Sequence, residues 1–131
     1  MLPVVPNRLP QSPLYQKAME IFRLSRSISH CFVDDLNYLN DEGKEDQSIY
    51  FSGDIVRQSV SLGPEILMAE SKTFSEDRQR HAASVTRLTN MLYKNCERLE
   101  HTHSNGRDFL PLLRKELKKF RKLQRTWMLT L

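Results

Sequence analysis

Leu110-Pro111-Leu112-Leu113-Arg114-Lys115-Glu116-Leu117-Lys118-Lys119-Phe120-Arg121-Lys122-Leu123-Gln124-Arg125-Thr126-Trp127 is the stretch whose periodicity decides the architecture. At about 100° per residue, Leu113, Leu117, Phe120, Trp127 and Leu131 fall on one helical face. Arg114, Lys118, Arg121, Lys122 and Arg125 fall opposite. From Arg107 to Arg125 there are eight Lys/Arg residues against two acids, Asp108 and Glu116, so the segment carries +6 in a chain of net charge +4. Like charges at i, i+4 repel unless something neutralises them, and a helix with an almost purely cationic outer face is therefore a surface aimed at a polyanion. A cationic helix from about Arg107 to the chain end is expected.

Working back towards the N-terminus, His101-Thr102-His103-Ser104-Asn105-Gly106 reads as a turn. Before it, Val85, Leu88, Leu92, Cys96 and Leu99 keep helical spacing, with Ser75 as the expected cap and Glu76-Asp77 suited to a helix N-terminus. Arg80, Arg87, Lys94 and Arg98 form a second basic row on this helix, diluted by Glu76, Glu97 and Glu100. An earlier helix is expected over about 47–71, with Ile49, Ile55, Val56, Ser59, Leu62, Ile66 and Met68 inward and a kink or restart at Pro64. The first helix opens at Ser12-Pro13, Ser as N-cap and Pro at the first helical position. It buries Leu14, Ala18, Ile21, Ser25, Ile28, Phe32, Leu36 and Leu39 and ends near Asn40. The link over 41–46 holds Gly43 and is acidic. Four helices of near-equal length with short connections predict an all-α, up-and-down four-helix bundle over 12–131, preceded by a flexible, proline-broken lead over 1–11.

The composition narrows the function. Of 131 residues, 39% are hydrophobic and 27% charged, which suits one folded domain, and four glycines argue against a turn-rich β protein. No apolar run is long enough to span a membrane and the start lacks a signal-peptide pattern, so a cytoplasmic protein without a membrane partner is expected. Cys31 and Cys96 lack metal-finger spacing and are expected as thiols rather than a disulfide. Glu97, His101, His103 and Cys96 lack the second ligand pair a metal site needs. Asp34-Asp35 beside His30 read as an acidic patch, not an acid/base pair, because adjacent carboxylates diverge by about 100° on a helix. With no P-loop, nucleophile elbow or glycine-rich phosphate cradle, neither catalysis nor a cofactor is expected. Tyr50 and Phe51 are adjacent and cannot both point inward, which hints at a partner or second subunit.

Three stretches carry a family resemblance: Leu14-Tyr15-Gln16-Lys17-Ala18 with Ile21-Phe22-Arg23-Leu24-Ser25-Arg26; Val56-Arg57-Gln58-Ser59-Val60-Ser61-Leu62-Gly63-Pro64-Glu65-Ile66-Leu67-Met68-Ala69-Glu70; and Asn105-Gly106 through Leu110-Pro111-Leu112-Leu113 to Gln124-Arg125-Thr126-Trp127. Together they resemble a family of small four-helix-bundle proteins. One branch is encoded in intervening sequences of bacterial ribosomal RNA genes, and the other comprises the accessory variability determinant proteins of diversity-generating retroelements. The C-terminal stretch is similar to the retroelement branch in particular. Ser71 stands where many relatives place glycine. The resemblance implies a homopentameric ring or barrel that binds nucleic acid and a reverse transcriptase during mutagenic copying of template RNA. The residues expected to hold template RNA or an RNA/DNA hybrid are Arg114, Lys115, Lys118, Lys119, Arg121, Lys122 and Arg125, joined by Arg80, Arg87, Lys94 and Arg98. An adaptor or scaffold whose basic face docks an acidic protein partner is the alternative.

Overall fold

A computed structural model describes residues 12–36, 43, 46–102 and 104–131, Asn105 by its backbone only. The expected lead over 1–11, Leu39 and most of the acidic link lie outside the described residues. Helices α1 (Pro13–Leu36), α2 (Gln47–Ser71), α3 (Ser75–Leu99) and α4 (Leu110–Met128) follow one another, with a 3-10 turn over Asn105–Phe109 leading into α4. Each start has a local cause. Ser12 Oγ accepts from the Tyr15 amide at 3.2 Å, and Asp46 caps α2 by accepting from Ser48 N at 2.8 Å. Gly43 has φ 76°, the left-handed region that glycine enters without a Cβ clash.

Three expectations are corrected here. The N-cap of α3 is Phe74, not Ser75, and makes no side-chain cap bond. Glu76 and Asp77 in the first turn supply the favourable charge instead, and Arg78 Nε donates to Lys72 O at 2.7 Å, tying the turn down. The last helix starts at Leu110, leaving Arg107 in the 3-10 turn, because Ser104 organises that turn first. Its Oγ accepts from Gly106 N at 3.1 Å and donates to Asp35 on α1 at 2.6 Å. Finally, α2 runs as one continuous helix through Pro64, so the helix does not restart there. Pro64 deprives the Val60 carbonyl of its helical donor, but Val60 is 47% exposed, so that oxygen stays within reach of water.

The four helices close into an up-and-down bundle in which α1 packs on α2, α2 on α3, α3 on α4 and α4 back on α1. Cross-helix contacts show each neighbour running antiparallel. Tyr15 meets Gly63 while Ser29 lies 3.4 Å from Ser52. Arg114 reaches Glu100, Arg121 reaches Asn90, and Gln124 reaches Thr86. The core takes Leu14, Ala18, Ile21, Ile28, Phe32 and Leu36 from α1, and Leu110, Leu113, Leu117, Phe120 and Trp127 from α4. Met68, expected inward, is 39% exposed, because α2 turns Ile66 and Ala69 to the core and leaves Met68 outside them. Phe51 packs against the core and Tyr50 is exposed, as adjacency on a helix requires. Inside, Asn95 Nδ2 donates to Gln58 Oε1 at 3.1 Å, matching two buried polar groups across α2 and α3.

Candidate polyanion interface

The side of α4 that meets α3 is fixed by three contacts. Arg114 lies 3.1 Å from the Glu100 carboxylate. Arg121 donates to Asn90 Oδ1 at 2.7 Å and sits 4.0 Å from the Tyr93 ring centre. Gln124 donates to Thr86 Oγ1 at 2.7 Å. Burial pushes the Tyr93 phenol up, and the Arg121 charge opposes that rise. The two guanidinium groups therefore occupy the α3–α4 seam, not the far face that the wheel alone assigned them. On the α1 side, Glu116 lies 3.5 Å from Lys17 and 3.5 Å from Lys119. The hydrogen bond from Lys17 to Glu20 at 2.6 Å raises the lysine and lowers the carboxylate.

What remains is a row. Lys115, Lys118, Lys122 and Arg125 are exposed and form no ion pair or hydrogen bond with any described residue. Their spacing of 3, 4 and 3 keeps them on one strip, and at 1.5 Å rise per residue it runs about 15 Å along the helix. Among the described residues no carboxylate pairs with them, and their mutual repulsion is relieved by solvent, salt or a bound polyanion. Among the described residues, Arg114 and Lys119 are the two of the seven helix-four cations that meet carboxylates.

The second row is not on this surface. Arg98 sits 5.1 Å over the Phe51 ring of α2 and donates to Asn95 Oδ1 at 3.2 Å, so its end of α3 faces α2. Arg80, Arg87, Lys94 and Arg98 share that outward arc by helical spacing. Arg80 lies 3.6 Å from Asp77, and Arg87 donates to Ser84 Oγ at 3.2 Å. The two rows thus occupy adjoining sides of the bundle, with Asn90, Tyr93 and Glu97 of α3 between them. Lys94, Glu97, Arg98 and His101 line a shallow open depression near the end of α3. Two cations there face Glu97 and His101, and among the described residues no group of three or more His, Cys, Asp or Glu side chains could hold a metal ion.

Sequence reading did not anticipate the α3–α4 seam. Asn90 and Tyr93 belong to it, and their signal was present only as outward polar and aromatic positions on α3, which a single helix cannot assign to a neighbour. Among the described residues no helix is long and apolar enough to cross a membrane. Compared with known proteins, the chain matches no family model, no curated protein and no solved structure at a significant level.

Proposed function

We propose that this protein is a non-catalytic nucleic-acid-binding accessory subunit of a diversity-generating retroelement, partnering its reverse transcriptase in mutagenic copying of template RNA as a homopentamer of four-helix bundles. The observation that carries the binding part of this reading is the unmatched row Lys115, Lys118, Lys122 and Arg125 along the outer face of α4. The retroelement, the transcriptase and the pentamer rest on the family resemblance of the quoted stretches. In the binding mechanism, the row takes phosphates of template RNA or of an RNA/DNA hybrid, while Arg121 and Arg114 flank it from the seam. Such contacts position a strand without reading its sequence. Arg80, Arg87, Lys94 and Arg98 act as a separate, weaker contact on the adjoining side.

The test is the triple variant Lys118→Glu, Lys122→Glu and Arg125→Glu, assayed for RNA binding at physiological salt. Binding is expected to vanish while helicity and assembly mass are unchanged. Retained RNA affinity in the triple variant rejects the α4 row as the site. Displacement of RNA by polyglutamate at equal charge concentration favours the acidic-protein adaptor instead.

A further inference from the structure

The start of α1 and the end of α4 frame a cleft of about 240 Å³ at one end of the bundle. Ser12 and Leu14 line one side of it, and Leu123, Thr126, Trp127 and Thr130 line the other. Its floor is apolar, since Leu14 and Trp127 belong to the buried core and Leu123 packs against that core. The indole is held in place. Its Nε1 donates to Glu70 Oε2 at 3.2 Å, so the ring's one polar atom is engaged with a residue outside the cleft lining.

The rim has a different chemistry, because it consists of three hydroxyls. Ser12 Oγ accepts from the Tyr15 amide and keeps its own proton to donate. Thr130 Oγ1 donates to the Trp127 carbonyl at 2.6 Å and keeps its lone pairs to accept. The Thr126 hydroxyl is exposed and pairs with no described residue. The rim can therefore both donate and accept.

The cleft also has a fixed place relative to the cationic row. Thr126 lies four residues beyond Lys122, one turn or about 6 Å further along the same strip of α4, and it directly follows Arg125. Leu123 stands in the same relation to Lys119 and directly follows Lys122. The row thus leads to the mouth of the cleft.

We propose that this cleft takes one unstacked base of a single-stranded nucleic acid whose phosphates lie on the α4 row. Three observations select a base over an aliphatic side chain. An apolar cavity of about 150 Å³ accepts one benzene ring, so 240 Å³ suits a planar heterocycle of one or two rings. Every base has an apolar face for the Leu14, Leu123 and Trp127 floor and a polar edge for the hydroxyl rim, whereas an aliphatic group uses the floor alone. Lys122 and Arg125 stand at the mouth, where the phosphate joined to a bound base must sit. The site is sequence-tolerant, because the floor recognises a ring face and hydroxyls can turn to match either kind of edge atom. The inference rests on the RNA-binding reading and adds to it a contact that is not electrostatic.

Trp127 is the single tryptophan of the chain, so its emission reports the cleft directly. The full-length protein is titrated with a short single-stranded RNA and with a strand of the same length and charge that lacks bases, at salt low enough for the row to hold both. The RNA is expected to change Trp127 emission and to bind at least about fivefold more tightly than the baseless strand. The baseless strand is expected to bind without that change. The double variant Thr126→Leu and Thr130→Leu, which narrows the mouth and removes two rim hydroxyls at exposed positions, is expected to bind RNA no more tightly than the baseless strand and to keep the native affinity for the latter. Equal native affinities for the two strands, or RNA bound with Trp127 emission unchanged, overturn the proposal and leave the cleft to an apolar side chain, while the row stands. A double variant that retains the native preference for RNA also overturns it. Failure of both strands to bind rejects the row, and the base site falls with it.

Discussion

Gly106 sits where the 3-10 turn presses on the end of α1. A Cβ there would lie 2.8 Å from Phe32 Cδ2 and 3.1 Å from Cys31 Cβ, both in a region where Phe32 is fully buried. Neither neighbour is the loose end of a long side chain, so Gly106→Ala is expected to destabilise the fold by about 1–3 kcal/mol, read as a lower urea midpoint at unchanged slope. Cys96 offers a second check. Burial raises its thiol from an ordinary 9.0 to about 12, with Glu100 adding to the rise. It stays protonated and inaccessible at pH 8, whereas Cys31 is only half-buried. Titration with a coloured thiol reagent should find one fast thiol in the native protein and two after denaturation. The linkage has a definite sign. Both folded and unfolded thiols are protonated below pH 9, so stability is unaffected there. Between about pH 9 and about 12 the unfolded chain loses its proton first, and stability falls.

Within each helix, the inward face was largely legible because burial and periodicity are one signal. All seven buried positions of α1 follow from the spacing that begins at Leu14. Met68 broke the pattern because Ile66, Met68 and Ala69 are all apolar, and a run of that kind fits more than one face. The outward faces were less legible, since a wheel says that Arg121 is not in the core but not that Tyr93 and Asn90 of α3 await it. The Gln58–Asn95 pair was hidden for the same reason: each is a polar residue on its own helix, and only the assembled bundle matches them. Replacing Asn95 alone by leucine strands the Gln58 amide and is expected to cost about 1–3 kcal/mol. The double change Gln58→Leu with Asn95→Leu removes both polar groups, and its loss measured by urea unfolding should be smaller than the sum of the two single losses.

At the scale of the whole molecule, the proposed assembly and the α4 row make a joint prediction. Copies assembled with their α4 rows outward let one RNA strand engage several rows. A single row offers four cations that pair with no carboxylate among the described residues, which corresponds to a slope of about −2.8 in log affinity against log salt on a single strand, at about −0.7 per phosphate contact. An RNA too short to leave one row should therefore give that slope. A long RNA should exceed it, because the second and later rows bind at the high effective concentration that the assembly imposes. The native protein should then show a slope well beyond about −2.8 and an affinity at least about tenfold higher than on the short RNA, while the Lys118→Glu, Lys122→Glu and Arg125→Glu variant should bind neither. Equal slopes on short and long RNA, measured by fluorescence anisotropy across a salt series, would mean that the rows do not act together.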